Sequence, residues 1–168
     1  IHQTFIGQPG VIERLMQRFT LLADKPENDG HKALLEKMAR AIQDNVVIQE
    51  LESGMSRLRQ QPNEVFGHCD ARTDNLTFNP GLKKLVMVDW NWASQTPRKF
   101  GSTEFLISVA ARGANIAEWS KDLNPELLAT LILFWLRCCM NPELTETGNL
   151  RDYQAVSTAV AYDLLTNI

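Results

Sequence analysis

The chain has little cysteine and no long run of charge of one sign. Its 168 residues include three cysteines, Cys69, Cys138 and Cys139, two of which are adjacent. Disulfide-held secreted domains carry an even, spaced set, so this count argues against a disulfide framework and favours a reducing, cytoplasmic location. The formal net charge is −3 and the basic residues are scattered, which argues against a nucleic-acid partner.

Long apolar runs are also missing. The most apolar stretch, residues 127–140, is shorter than the roughly 20 residues that a membrane-spanning helix needs, and Arg137 interrupts it. We therefore expect no membrane partner and interpret the stretch as a buried helix. The hydrophobic share of 44% and the charged share of 22% are ordinary for a globular protein, and the length predicts one domain over residues 1–168.

Helical periodicity dominates the rest of the chain. Apolar residues recur at helical spacing in the segments 11–22, 31–58, 102–115, 125–140 and 149–164. Within the second segment, Asp44 or Asn45 can cap a new helix, so we expect a break or kink there. Asn124 and Pro125 begin the fourth helix, and Asn149 begins the last one, with Asp152 at a capping-box-like spacing.

Strand patterns are confined to the middle of the chain. Residues 65–67 predict a short strand, and residues 76–78 and 85–88 predict a hairpin around the turn Asn79-Pro80-Gly81. Residues 90–101 contain Pro and Gly and predict an irregular segment. The predicted fold is therefore mainly α, with helices packed around a small β-hairpin.

An ordered series of polar residues accompanies these strands. His68, Asp70 and Asn75 lie in the loop before the hairpin, and Asp89 follows its second strand, where it would return beside Asn75. Phosphoryl transfer needs one carboxylate to orient a hydroxyl, and Mg²⁺ needs few protein oxygen ligands. We therefore predict that Asp70 is the catalytic base and that Asn75 and Asp89 bind Mg²⁺. His68 is expected to orient the loop.

The run from His68 to Leu76, with Val88-Asp89-Trp90 downstream, resembles aminoglycoside phosphotransferases and choline-kinase-like enzymes. These relatives of protein kinases phosphorylate small molecules. The resemblance is specific over residues 67–90 and implies the helical C-terminal lobe of a protein-kinase-like α+β fold. It implies the same roles for Asp70, Asn75 and Asp89, with Arg72 beside His68 in support of the site.

Two positions depart from that family's pattern. Cys69 stands where glycine is usual between the His and the Asp. The Asp-Leu-Ala that commonly follows the second Asp is absent, and Glu104-Phe105-Leu106 is the nearest equivalent.

The implied activity is that of an ATP-dependent or GTP-dependent phosphotransferase acting on a hydroxylated small molecule. Kinase-like enzymes also need a Gly-rich loop and a strand Lys before the catalytic loop. The early glycines, Gly7, Gly10, Gly30 and Gly54, do not form that motif. We therefore expect this chain to be a C-terminal catalytic lobe that is inactive alone and partnered by an N-terminal nucleotide-binding lobe.

The same series of residues also has other interpretations. A non-catalytic binding or scaffold domain of the same fold stays open, although such a domain has no need for three converging oxygen ligands. A metal-dependent phosphohydrolase would need more ligands, and the consecutive His68, Cys69 and Asp70 cannot easily surround a tetrahedral zinc ion. Trp90 and Trp92 would either contact substrate or anchor their loop onto the core.

Overall fold

The computed structural model describes residues 5–141 and 149–168, and in these ranges the fold is mainly helical, as predicted. The helices are α1 (Val11–Ala23), α2 (Lys32–Ala41), α3 (Asn45–Leu58), α4 (Phe100–Ala110), α5 (Pro125–Cys139) and α6 (Leu150–Thr166). The strands are β1 (Val65–Gly67), β2 (Leu76–Asn79), β3 (Lys84–Met87) and β4 (Ser94–Thr96). No helix in the described ranges is long and apolar enough to cross a membrane.

Helix α5 lies at the centre of the core. Its sequence is apolar on nearly every face, so it needs partners on more than one side. Helices α3 and α6 pack against it, while α2 packs against both α1 and α6. The largest fully buried side chains of this core are Leu15, Phe19, Leu35, Met38, Ile42, Leu51, Ile107, Leu127, Leu128, Ile132 and Leu136.

Helix boundaries follow the predicted capping chemistry at two places. The break between α2 and α3 is confirmed, and the Asp44 carboxylate accepts a hydrogen bond from Val46 N at 2.8 Å. At α5, Asn124 Oδ1 accepts from Leu127 N at 2.9 Å, and Pro125 occupies the first turn. Both caps satisfy amides that have no partner inside the helix.

Two local predictions were wrong. Helix α4 covers 100–110 rather than 102–115, because the chain turns after Ala110 and Gly113 adopts a left-handed φ of +85°. Asp152 makes no capping contact with Asn149. Its carboxylate instead binds Arg18 at 2.9 Å and Lys25 at 2.6 Å, since two cations attract a carboxylate more strongly than a neutral amide does.

The predicted hairpin is confirmed, and the described chain contains a second antiparallel strand pair. Strands β2 and β3 pair antiparallel, with Leu76 opposite Met87. Residues 94–96, expected to be irregular, form β4 and pair with β1, so that Gly67 lies opposite Ser94. A Cβ at Gly67 would lie 2.7 Å from Thr96 Oγ1, so a larger residue at position 67 would force the Thr96 side chain to move. The sequence Ser-Gln-Thr has no apolar alternation, so its strand structure depends on β1.

The close crossing of α3 and α5 gives a test of the packing. A Cβ at Gly54 would lie 2.7 Å from the Ala129 Cβ, so we expect Gly54→Ala to lower the free energy of unfolding by about 1–3 kcal/mol. The gain in helix propensity, at most about 1 kcal/mol, is too small to reverse this. Urea denaturation measures the change.

Gly101→Ala is the matched control. Gly101 lies in α4, and a Cβ there would meet nothing within 4 Å, so this variant should keep or slightly raise the stability. Equal effects of the two substitutions would show that α3 and α5 are not in close contact at Gly54.

Candidate active site

The loop that connects β1 to β2, residues 68–75, is fastened to the end of β3. The amide of Val88 donates to Asn75 O at 2.8 Å, which extends the hairpin by one residue. The carbonyl of Val88 accepts from His68 Nε2 at 2.7 Å, so Nε2 carries a proton. His68 is buried, with its ring centroid 4.7 Å from that of Trp90. This places His68 as an anchor of the loop.

Asp70 lies in the middle of the loop and is partly exposed. Arg72 contacts both of its oxygens, with Nε 2.8 Å from Oδ1 and Nη2 3.1 Å from Oδ2. Asn75 Nδ2 donates to Oδ2 at 3.2 Å. Two hydrogen bonds reach this carboxylate, from Arg72 Nη2 and Asn75 Nδ2, and both end at Oδ2. Because a carboxylate offers about four lone-pair sites, acceptor capacity remains for a substrate hydroxyl. The arrangement allows Asp70 to accept a proton.

Arg72 joins several groups of the loop. Besides Asp70 it contacts Asp74, with Nη1 3.2 Å from Oδ2, and its guanidinium lies 5.7 Å from the centre of the Tyr153 ring. Burial alone would lower the pKa of Arg72, but its hydrogen bond and charge interaction with Asp70, together with Asp74, raise it. Arg72 therefore stays charged and holds the loop's carboxylates in place.

Asn75 is buried and faces Asp70. Its Nδ2 donates to the Asp70 backbone carbonyl at 2.9 Å as well as to the carboxylate. Because both partners are acceptors, this network fixes the orientation of the amide. The other amide atom, Oδ1, is then the one left for an incoming cation.

Asp89 lies directly after Val88, the residue paired with Asn75. It has a left-handed φ of +62° and an exposed carboxylate that accepts from Asn91 Nδ2 at 2.6 Å. Within the described chain, Asn75 and Asp89 share no hydrogen bond; the hairpin places Asp89 one residue after Val88, whose amide pairs with Asn75. The carboxylate and the Asn75 amide oxygen are hard donors of the kind that Mg²⁺ prefers.

The described ranges contain no preformed cluster of metal-ligating side chains. Residues 5–141 and 149–168 contain no group of three or more His, Cys, Asp or Glu that could hold an ion. An amide and a single carboxylate fit Mg²⁺ only when phosphate oxygens and water complete its coordination. Asn75 and Asp89 would therefore need phosphate and water oxygens to complete the coordination of an ion.

Cys69 adopts a conformation that favours glycine. Its φ is +60°, in the left-handed region where a Cβ costs of order 1 kcal/mol. Burial raises the pKa of the Cys69 thiol, and the negative charge of Glu104 adds to this. The thiol therefore stays protonated, which disfavours a role as nucleophile.

Helix α4 supports the loop from below through two side chains. Glu104 Oε2 accepts from the amide of Ala71 at 3.2 Å, and Ser108 Oγ accepts from the amide of Thr73 at 3.0 Å. Tyr153 of α6 donates to the same Ser108 oxygen at 3.3 Å. Sequence reasoning gave Glu104 no role beyond its position after Asp89. The sequence feature that could have indicated a role is that Glu104 is the single charged residue of the otherwise uncharged helix α4.

The carboxyl group of Glu104 lies in an unusual environment. Burial raises its pKa to about 7, the negative charge of Asp70 acts in the same direction, and the hydrogen bond from the Ala71 amide opposes both. Glu104 is therefore partly protonated at neutral pH. Strongly shifted carboxyl groups of this kind are frequent at functional sites.

A cavity of about 360 Å³ opens beside Asp70. Trp92 lines it and is 70% exposed, so Trp92 is available to a ligand. Trp90 instead anchors its loop, because it packs on His68 and donates from Nε1 to Met87 O at 2.8 Å. The wall also includes Glu104 of α4 and Tyr153 of α6.

Comparisons with protein-family models, curated proteins and solved structures gave no match.

The half-buried carboxyl of Glu104 predicts a specific pH dependence of stability. Its folded-state pKa of about 7 lies above the ordinary value of 4.5. Between these values the folded state holds a proton that the unfolded state releases, so stability falls as pH rises from 4.5 to 7. We expect Glu104→Gln to remove about 1–3 kcal/mol of this fall, as measured by urea unfolding at several pH values.

Glu118→Gln is the control, because Glu118 is an exposed carboxylate away from the loop. It should retain the full fall seen in the parent protein. Parallel pH profiles for the parent and Glu104→Gln would contradict the assignment.

Proposed function

We propose that this chain is the catalytic part of an ATP-dependent small-molecule phosphotransferase that resembles aminoglycoside phosphotransferases and choline kinases. The observation that carries the proposal is the pairing of the Val88 amide with the Asn75 carbonyl. Asn75 binds Asp70 directly, and Asp89 follows the residue that pairs with Asn75. A base and two oxygen ligands in this order along the chain suit phosphoryl transfer.

Each residue has a role in this proposal. Asp70 accepts the proton of the substrate hydroxyl and orients its oxygen for in-line attack, while Arg72 and Asn75 fix the carboxylate. Asn75 Oδ1 and the Asp89 carboxylate would hold Mg²⁺. When bound with ATP or GTP, the ion neutralises charge on the phosphates. His68, Glu104 and Ser108 hold the loop through backbone groups.

The proposal includes a nucleotide-binding lobe outside these 168 residues, and a cytoplasmic location where ATP and Mg²⁺ are present. The sequence contains no Gly-rich phosphate loop, so the chain alone is expected to be inactive. The exposed hairpin supports a covering partner: Phe78 and Leu85 are cross-strand neighbours, and they are 58% and 64% exposed. Paired apolar side chains of this kind are typical of a surface that another element covers.

A scaffold domain is the second candidate, and one observation favours it. Arg72 contacts both oxygens of Asp70, which is a stable ion pair with no need of a substrate. Asp70 variants distinguish the two candidates.

We expect Asp70→Asn to reduce turnover by about 10²–10⁴-fold with little change in nucleotide affinity, because general-base catalysis contributes that much. The measurement is ATP consumption by the protein with its nucleotide-binding lobe, using an acceptor found by screening hydroxylated compounds. Asp74→Asn is the control in the same loop and should stay within a few-fold of the parent. Unchanged turnover in Asp70→Asn would favour the scaffold.

We expect Asp89→Ala to raise the Mg²⁺ concentration for half-maximal activity by roughly tenfold or more, since even indirect supports of a metal are worth about 10–100-fold. A Mg²⁺ titration at saturating nucleotide measures this. Asp29→Ala, an exposed aspartate before α2, should leave the titration curve in place. An unshifted curve for Asp89→Ala would remove Asp89 from the metal site.

A further inference from the structure

We propose that the cavity beside Asp70 binds a hydroxylated substrate with a neutral, apolar, ring-sized body, rather than a polycation. The inference rests on the proposed function, because it assigns the substrate class of the same site. Its evidence is the lining of the cavity, which the motif residues do not determine.

Aromatic side chains form much of the described wall. Phe134 and Trp135 come from α5, Trp92 from the segment after Asp89, and Tyr153 from α6. Phe134 is 56% exposed on a helix whose other apolar residues are mostly buried. An exposed aromatic ring in a cavity lining offers a flat apolar surface on which a ligand ring can stack.

Aliphatic side chains close the floor of the cavity. Ile107 of α4 and Leu131 of α5 are buried beneath it, and both contribute to its lining. A volume of about 360 Å³ is within the range of small-ligand sites, which are mostly apolar with a few placed polar groups. The polar groups of the lining include Asp70, which would meet the hydroxyl.

The charge of the described wall is too small for a polycation. Asp70 and Arg72 neutralise each other as an ion pair. The remaining charged group is Glu104, whose pKa burial raises to about 7, so it is partly protonated at neutral pH. A ligand with several ammonium groups would lose hydration and find little opposite charge in return, whereas a neutral ring loses nothing comparable.

The four tryptophans of the sequence provide a direct test. Trp92 and Trp135 line the cavity, while Trp90 and Trp119 do not. The probe is 2-phenylethanol, a neutral ring with one hydroxyl, and the comparison compound is kanamycin, a hydroxylated polycation. Both are titrated into protein with ¹⁵N-labelled indole groups, and the four indole signals are followed by NMR.

We expect 2-phenylethanol to shift the Trp92 and Trp135 signals saturably and to leave the Trp90 and Trp119 signals in place. Phe134→Ala should weaken this binding about fivefold. Phe78→Ala is the matched control, since Phe78 is equally exposed, at 58%, but lies on the hairpin outside the cavity lining. It should leave the affinity unchanged.

Other outcomes would overturn the inference. These are stronger binding of kanamycin at Trp92 and Trp135, shifts spread over all four indoles, no saturable shift, or equal effects of the two Phe variants. The experiments distinguish failure of the substrate class from failure of the proposed function. Asp70-dependent phosphate transfer to a polycation would support the function and reject this substrate class. Binding of 2-phenylethanol at the two indoles, with turnover unchanged in Asp70→Asn, would support the binding inference and reject the function.

Discussion

The peptide groups of Val88 carry the constraint on which the candidate site depends. Its amide binds the carbonyl of Asn75 and its carbonyl binds His68, so one residue at the end of β3 holds both ends of the loop 68–75. Asp70 lies in the loop between His68 and Asn75, and Asp89 directly follows Val88 in the chain. Since both bonds use backbone atoms, the geometry depends on the hairpin register and not on the side chain at position 88.

Several residues of the candidate site adopt locally unfavourable conformations or environments. Cys69 and Asp89 have left-handed backbones, and such residues persist only where the surrounding structure fixes them. The Glu104 carboxyl is removed from water to reach the Ala71 amide. Helix α4 supplies this support from beneath the loop, and α5 and α6 pack against α4. A helical layer thus holds a polar loop in a conformation that the loop sequence does not favour by itself.

Predictions from sequence succeeded where the decisive interaction was local. Asp44 caps α3 through an amide two residues away, and the Asn79-Pro80-Gly81 turn returns β3 onto β2. They failed where a distant partner competed. Asp152 had the spacing of a cap, but Arg18 and Lys25 lie far away in sequence and bind it instead. Strand β4 likewise depends on β1, which lies almost thirty residues earlier.

The sequence alone determined the helical class, the hairpin and the order of His68, Asp70, Asn75 and Asp89, because periodicity, turns and spacing are properties of short segments. The tertiary structure decided which groups surround Asp70. Glu104 and Tyr153 reach the loop only because α4 and α6 pack beneath it, and the cavity wall combines side chains from three helices. Contacts between separate elements, and the dielectric environment they create, exist only once the core has formed.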